Sequence, residues 1–387
     1  MKINSRNLFH SIFYLLFFFT YFFPEYLLVT YPKVSIYLTC FKIFFFLIIL
    51  FISILNKNLF NKTVMFSFLF FLYFALISYI KVNNMNEVMN ICICSLSLIL
   101  LFNNGVKRDK INLFRSMSIF FSIMLIINTI TIILYPNGMY VRNVTGLKDN
   151  WFLGYRNNHI TYILPLYLAI IINSFLKYNF LSRNSKIISI ILLILTFFTK
   201  SSTSILCMTL LTLSLILNKQ IYACIRNLYV YVFSYIILYL SIIIFRIQKI
   251  FSFLIQSILK RDLSFTGRTR IWDYMLNGIK ETPFLGHGLE QSAIRYEKYK
   301  VWHAHNQILE IIYETGLIGF LLFIMNLSIA LKELKKFWNY EITKCLAVFL
   351  FIFFIMCLTE VYSYWYFFYI ITTICNISYL LRRHEHE

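Results

Sequence analysis

The sequence predicts an all-α protein that crosses a membrane many times. Hydrophobic residues make up 60% of the 387 residues and aromatic residues 19%, whereas charged residues make up only 13%. A water-soluble domain carries about a quarter charged residues. Apolar runs near the length that a helix needs to cross a bilayer, about 20 residues, recur along the whole chain. These observations predict a single polytopic membrane domain over residues 1–387.

Twelve apolar runs are the predicted transmembrane helices. They are expected at 8–29, 34–55, 63–80, 88–102, 112–135, 159–176, 187–199, 203–217, 228–246, 306–331, 342–358 and 362–381. We interpret the first run as a retained span rather than a signal peptide, because no small-residue cleavage site follows it.

The basic residues predict the orientation of these spans. If the N-terminus is cytoplasmic, seventeen Lys and Arg lie in the cytoplasmic segments and six in the short outer segments. Cytoplasmic segments of membrane proteins are enriched in Lys and Arg. Both termini are therefore predicted to be cytoplasmic, and the long 247–305 segment is predicted to be an extracytoplasmic loop of a protein in the plasma or inner membrane.

The net charge of +20 does not indicate a nucleic-acid partner, because the basic residues are scattered between apolar runs rather than clustered on one element. The eight cysteines are also mostly within apolar runs, so no disulfide framework is predicted. Charge that orients spans in lipid is the simpler interpretation of the basic residues.

The stretch 264–319 differs from the rest because it is mixed, charged and rich in Gly and His. Apolar residues at helical spacing predict an amphipathic helix from about 267 to 281, which Pro283 ends. Gly286 and Gly288 predict a tight turn, and a second short helix is expected over 289–300. The outer loop is thus predicted to hold short amphipathic helices and to enter the tenth span at Asn306.

Cations at the outer ends of the spans are candidates for binding phosphate, since Arg forms a bidentate fork with phosphate oxygens and Lys offers a point charge. These candidates are Arg142, Arg156, Lys200, Arg268 and Arg270. Contact with lipid headgroups is the alternative. For Arg142, Lys148 and Arg295, headgroup contact is the preferred interpretation.

His305 is the candidate general base, because an imidazole titrates near neutral pH and this one stands beside Asn306 at a span boundary. From these residues alone, an interfacial His that is hydrogen-bonded to headgroups or backbone is the preferred interpretation. His303 and His305 give only two metal ligands without an evident third, so no metal site is predicted. Glu310 and Glu314 follow one helix face and are expected to pair with loop arginines, since charges at a span edge usually pair.

These residues together resemble the O-antigen ligase and polysaccharide polymerase family. The resemblance rests on Gly267-Arg268, Pro283-x-x-Gly286-x-Gly288, His305-Asn306 with Glu310, and Glu314-x-Gly316, and it covers roughly 155–330. The family has a Ser-Arg at the outer end of one span. Here Lys200 precedes two serines instead, and Arg156 is the other candidate for this second clamp.

The resemblance implies an integral-membrane glycosyltransferase that needs no metal or other cofactor. Its donor would be an oligosaccharide on a polyprenyl pyrophosphate, in contact with membrane lipid, and other proteins of polysaccharide assembly are candidate partners. Arg268 and His305 match the catalytic positions. The expected substrate-binding residues are Arg156, Lys200, Arg270, Asn306, Glu310 and His303.

Three functions remain open at this point. The first choice is a polymerase that joins lipid-linked repeat units of a surface polysaccharide such as a capsule, with inversion at the anomeric carbon. A ligase that transfers a finished glycan to another acceptor is the second. A transporter of the same lipids is the third, although transporters need charges deep in their spans, and Lys42 is the clearest such charge here.

Overall fold

The protein, seen as a computed structural model, is a bundle of apolar helices whose connections gather at two ends. The structure describes residues 5–81, 85–141, 148–224, 227–246, 268–299 and 302–382. Arg142, Gly267 and the first part of the predicted loop, 247–267, lie outside the described residues. The helices are α1 Ser5–Tyr21, α2 Glu25–Thr30, α3 Val34–Leu55, α4 Lys62–Lys81, α5 Met85–Arg108, α6 Lys110–Leu134, α7 Ile160–Tyr178, α8 Arg183–Phe198, α9 Ser202–Ile216, α10 Asn218–Cys224, α11 Leu228–Tyr239, α12 Arg268–Glu281, α13 Ser292–Tyr299, α14 Gln307–Lys336, α15 Glu341–Met356, α16 Tyr364–Cys375 and α17 Ile377–Leu381.

Short elements complete the fold. Strands β1 (Asn150–Trp151) and β2 (Gly154–Tyr155) form an antiparallel hairpin in which Trp151 pairs with Gly154. Single 3₁₀ turns cover Asn58–Phe60 and Arg156–His159, and a π-helical turn, Leu240–Ile244, extends α11. The two-residue strands leave the predicted all-α class intact.

The helix lengths confirm a multi-pass membrane protein. Helices α3, α4, α5, α6, α14 and the helical segment Arg156–Tyr178 that contains α7 are long and apolar enough to cross a membrane. Four shorter apolar helices, within α1, α9, α11 and α16, accompany them in the described part of the chain. The number of twelve spans stays a prediction.

The first predicted span is shorter than expected. The sequence predicted one helix over 8–29, but α1 ends at Tyr21 and a separate helix α2 begins at Glu25. Pro24 lies between them with extended backbone angles of φ −60° and ψ 132°. Proline has no N–H for an i→i−4 bond and disfavours helical angles in the residue before it, so the helix stops.

Burial separates central helices from lipid-facing ones. Most side chains of α7 are buried, including Tyr167 and Leu168, whereas α3 buries only Leu38, Phe45, Ile49 and Ser53. The outer face of α3 presents large apolar side chains, namely Phe41, Phe44, Leu47 and Phe51. Hydrocarbon is the solvent that suits such a face, since a soluble monomer rarely exposes a large apolar patch.

Polar contacts differ at the two ends of the bundle. At one end, Lys110 Nζ donates to the carbonyl oxygens of Tyr379 at 2.7 Å and Arg382 at 2.6 Å. At the other end lie the hairpin, the start of α14 and the segment between α15 and α16. The second end, which we call the loop end, collects the residues that the sequence selected for chemistry.

A break in α14 explains the glycine motif of the loop. Gly316 has φ 59° and ψ −169°, so the helical hydrogen bonds are interrupted there. The freed carbonyl oxygens of Tyr313 and Glu314 accept from the backbone N–H groups of His287 at 2.8 Å and Gly288 at 2.9 Å. The turn that was predicted at Gly286–Gly288 is thus confirmed, and it is docked into the broken helix.

Replacing Gly286 with Ala is expected to destabilise the protein. Gly286 has φ +81°, and an added Cβ would lie 2.5 Å from the backbone N of Gly316 and 2.6 Å from the carbonyl oxygen of Glu314. The left-handed angle alone costs a non-glycine residue about 1–3 kcal/mol, and the backbone contacts add to that. Thermal unfolding of the detergent-purified protein measures the effect.

Gly105→Ala is the matched control for this variant. A Cβ at Gly105 would meet the flexible end of the Leu113 side chain at 2.8 Å, within regular helix α5. That neighbour can rotate away, and Ala favours helix by about 1 kcal/mol over Gly. Equal unfolding temperatures for the two variants would contradict the role assigned to the docked turn.

Candidate active site

One carboxylate joins the two residues that were expected to be catalytic. Arg268, at the start of α12, donates from Nη2 to Oε1 of Glu360 at 2.7 Å. Nδ1 of His305 lies 3.8 Å from Oε2 of the same side chain. We call Arg268, Glu360 and His305 the Glu360 cluster. Its side chains are 16%, 13% and 29% exposed, respectively, so the cluster is shielded from bulk water but open to a ligand.

The segment before α14 holds His305 in an unusual conformation. His305 has φ +48°, a left-handed angle that a non-glycine residue adopts when the surrounding structure imposes it. Its ring centroid lies 3.9 Å from that of His303, and its backbone N–H donates to Nδ1 of His303 at 3.3 Å. Because Nδ1 of His305 faces Glu360, Nε2 is the ring nitrogen that can meet a substrate.

Asn306 and Gln307 fix the Glu360 segment to the start of α14. Asn306 is the N-cap, since its Oδ1 accepts from the N–H of Leu309 at 3.0 Å, and its Nδ2 donates to the carbonyl oxygen of Leu358 at 3.1 Å. Oε1 of Gln307 accepts from the N–H of Tyr362 at 2.7 Å. Asn306 is fully buried. Its amide therefore positions the base and the carboxylate relative to each other.

The charge state of this segment follows from its surroundings. Burial alone would raise the pKa of Glu360, but the neighbouring His305 and the charge of Arg268 outweigh it, and the pKa is lowered. Burial and the adjacent His305 ring lower the pKa of His303 to about 4. At neutral pH the cluster therefore contains a carboxylate, and His303 is an uncharged neighbour of His305.

Arg156 lies near the site because the next residue, Asn157, contacts Glu360. Asn157 Nδ2 donates to Oε1 of Glu360 at 3.3 Å, so the 3₁₀ turn before α7 lies against the cluster. Arg156 itself pairs with Asp149 at 3.1 Å and is about one-third exposed. The structure brings Arg156 to the rim of the site, where its guanidinium is accessible to an anion.

Lys200 and Arg270 lie farther out. Lys200 is exposed in the turn between α8 and α9 and lines a cavity of about 530 Å³ with Pro136 and Phe198. The start of α9 contacts the segment that carries Glu360, because Oγ1 of Thr203 is 3.4 Å from Oγ1 of Thr359.

Arg270 is exposed on α12, with Nε bonded to the hydroxyl of Tyr274 at 3.0 Å. It is two residues from Arg268, which places it on another face of the helix.

Arg295 belongs to a buried ionic cluster, so its interpretation as a headgroup contact was wrong. Its side chain is 3% exposed, pairs with Glu310 and lies 3.5 Å from Glu314. Glu310 also accepts from the N–H of Ala304 at 2.7 Å, next to His305. The expected pairing of Glu310 and Glu314 with a loop arginine is confirmed. Glu310 thus holds the backbone next to His305 through this hydrogen bond.

An apolar cavity of about 680 Å³ lies between α11, α12, α14 and α15, and so shares α12 with Arg268. Leu276, Ile279 and Leu309 line its end near the loop, and Leu228 and Leu334 line the opposite end. Leu309 lies in the first turn of α14, three residues after the capping Asn306. The cavity therefore runs from the loop end along the apolar length of the helices, a shape that fits a hydrocarbon chain.

Fold and site define the class as an integral-membrane, all-α protein with a polar site at one end of its helices. Residues 187–324 match the model of the O-Antigen ligase family, Wzy_C. This match confirms the resemblance to the O-antigen ligase and polysaccharide polymerase family, and the matched segment contains Lys200, Arg268 and His305. It supports a role of the glycosyltransferase type in polysaccharide assembly. A search of curated proteins finds no match for the chain.

Sequence reasoning missed Glu360. This residue lies in the short segment between the runs 342–358 and 362–381, which the predicted topology puts on the same side as His305. A lone carboxylate between two apolar runs was the available signal, since charges at a span edge usually have a partner. Its pairing with Arg268, 92 positions away, required the structure.

Proposed function

We propose that the protein is a glycosyltransferase that joins oligosaccharide repeat units carried on polyprenyl pyrophosphate. The observation that carries this proposal is the Glu360 cluster, where a guanidinium and an imidazole meet at one carboxylate; the apolar cavity between α11, α12, α14 and α15 supports it. A cation for pyrophosphate, a base for a hydroxyl and a channel for a lipid chain are the three parts that such a reaction needs. The match to the O-Antigen ligase family supports the assignment.

The proposed reaction is a direct displacement. Nε2 of His305 accepts the proton of an acceptor sugar hydroxyl, and the hydroxyl oxygen attacks the anomeric carbon of the donor sugar. The bond between that carbon and the pyrophosphate oxygen breaks, and the lipid pyrophosphate leaves with the electron pair. The anomeric configuration is inverted. No metal is assigned a role in this scheme, and no covalent enzyme intermediate is formed.

Arg268 stabilises the departing charge. A guanidinium binds two phosphate oxygens at once, and its contribution grows as negative charge develops on the leaving group. Arg156, at the rim, is the second candidate for this charge, and Lys200 is the third because it lies one turn outside the site. We assign acceptor contacts to His303 because its ring packs against that of His305. Asn306 and Glu310 are assigned as positioning residues.

Transfer of a finished glycan to another acceptor is the second candidate function, and the match to the O-Antigen ligase family favours it. It uses the same donor chemistry. A transporter is less well supported, because the buried charges of Glu310 and Glu314, which pair with Arg295, lie in the first turns of α14 at the loop end rather than midway along the helix. We place the site outside the cytoplasm and both termini inside, on the distribution of basic residues.

Deleting the gene is expected to cause single lipid-linked repeat units to accumulate. This follows because a polymerase consumes such units, whereas a ligase consumes chains that are already long. Extraction and sizing of the lipid-linked glycans measures the outcome, with a strain that re-expresses the chain as the control. Long lipid-linked chains in the deletion strain would show that the protein is a ligase rather than a polymerase.

Purified protein in vesicles separates the enzyme from the transporter. The protein is reconstituted with a polyprenyl-pyrophosphate oligosaccharide, and both products and sidedness are measured. New glycosidic bonds are expected. Movement of the lipid between leaflets without new bonds would overturn the glycosyltransferase assignment.

A further inference from the structure

The two oxygens of Glu360 face different partners. Oε1 accepts from Arg268 Nη2 at 2.7 Å and from Asn157 Nδ2 at 3.3 Å. Oε2 faces Nδ1 of His305 at 3.8 Å, which is too long for a hydrogen bond. This Nδ1 is shielded from water and has no hydrogen-bond partner among the described residues. The carboxylate therefore bonds to Arg268, and its Oε2 is about 1 Å too far from Nδ1 of His305 for a hydrogen bond.

We propose that Glu360 is a positioning residue that moves its hydrogen bond from Arg268 to His305 when a diphosphate occupies Arg268. This inference rests on the proposed function. It adds that binding of the donor switches on the base for the acceptor. The ligand that triggers the exchange is the diphosphate group of a polyprenyl lipid.

The exchange follows from charge. A diphosphate carries more negative charge than a carboxylate and binds a guanidinium through two oxygens, so it competes with Glu360 for Arg268. The released carboxylate keeps only the 3.3 Å hydrogen bond from Asn157, and a shielded charge that has lost its cation gains from another donor. Nδ1 of His305, which has no hydrogen-bond partner in the described part of the chain, lies 3.8 Å from Oε2 and can be that donor. A rotation of the Glu360 side chain that shortens the distance from Oε2 to Nδ1 of His305 by about 1 Å forms the hydrogen bond.

The backbone around Glu360 allows this rotation without a change of fold. The bonds of Asn306 to Leu358 and of Gln307 to Tyr362 hold the segment on both sides of Glu360. The other groups that face the carboxylate are His303, which is neutral at pH 7, and the hydroxyl of Tyr362. Neither of these side chains carries a charge that would compete with His305.

A carboxylate on Nδ1 makes His305 a better base. It fixes the tautomer with the proton on Nδ1, orients the ring, and stabilises the imidazolium that forms when Nε2 takes a proton. In the absence of the donor, His305 lacks this support. The order of events then favours transfer to an acceptor only when a donor is in place.

The experiment compares wild type with Glu360→Gln in detergent. Glutamine keeps the shape of the side chain but removes its charge. We expect kcat to fall about 10–100-fold, the usual effect of losing such an orienting partner, with no rise in the KM for the lipid donor. An unchanged kcat, or a loss of activity that comes only from a raised KM for the lipid donor, would overturn the proposal.

A binding measurement keeps the inference testable apart from turnover. Polyprenyl diphosphate in micelles is expected to bind Glu360→Gln about 3–10-fold more tightly than wild type, because the competing carboxylate is gone. Glu281→Gln is the matched control, since Glu281 pairs with Lys298 on the exposed surface, and its affinity should equal that of wild type. Equal or weaker binding by Glu360→Gln would refute the exchange. If wild type binds the diphosphate but forms no glycosidic bond, only the proposed function fails.

Discussion

Replacing His305 with Ala is expected to abolish glycan transfer while the protein still folds in the membrane. General bases contribute about 10²–10⁴-fold to the rate of a proton-transfer step. His305 is 29% exposed, and its described ring contacts are with Glu360 and His303 rather than with the helix core. Its loss therefore removes chemistry without opening a cavity in the bundle.

The measurement is the yield of polymer or transferred glycan from a defined lipid-linked donor, with unfolding temperature as a check on folding. His10→Ala is the matched control. His10 lies on α1, at the opposite end of the bundle, and contacts Asp109 at 2.8 Å. Normal product from His305→Ala, or an equal loss in both variants, would remove His305 from the role of base.

The helices were predictable because a long apolar run indicates directly that a segment lies in lipid. Helix α3 has the bounds that the sequence predicted, 34–55, and α4 differs from its prediction by one residue at each end. The amphipathic helix that ends before Pro283 and the turn at Gly286–Gly288 also followed from local rules. These features depend on residues that are neighbours in the chain.

The partners across the site were not predictable in this way. Glu360 meets Arg268 and Asn157, which are 92 and 203 positions away in sequence. Such contacts are decided by how the helices pack, and no spacing rule encodes them. The same holds for Arg295, which is on a short surface-like helix in sequence but becomes buried when α13 packs over the first turns of α14. The hypothesis of headgroup contact failed for this tertiary reason.

Replacing Arg295 with Met is expected to cause the largest loss of stability of any single change proposed for this chain. Glu310 and Glu314 are 7% and 5% exposed and share this one guanidinium, which also lies 4.7 Å from the ring centre of Tyr313. Removing one member of a buried ion pair costs about 3–5 kcal/mol, because the remaining charge is left without a partner. Methionine retains the apolar volume, so the lost charge is what the variant tests.

Thermal unfolding in detergent measures this effect, and Arg246→Met is the matched control. Arg246 pairs with Asp273, which is 52% exposed, and an exposed pair contributes about 1 kcal/mol or less. Adding Glu310→Gln to Arg295→Met should recover part of the lost stability, since Glu310 is the carboxylate that pairs most closely with Arg295 and its charge is then removed. Because Glu310 also holds the N–H of Ala304 beside His305, the Arg295 variant should lose transfer activity at temperatures where the control is still active. Equal unfolding temperatures for Arg295→Met and Arg246→Met would show that the buried cluster does not support the site.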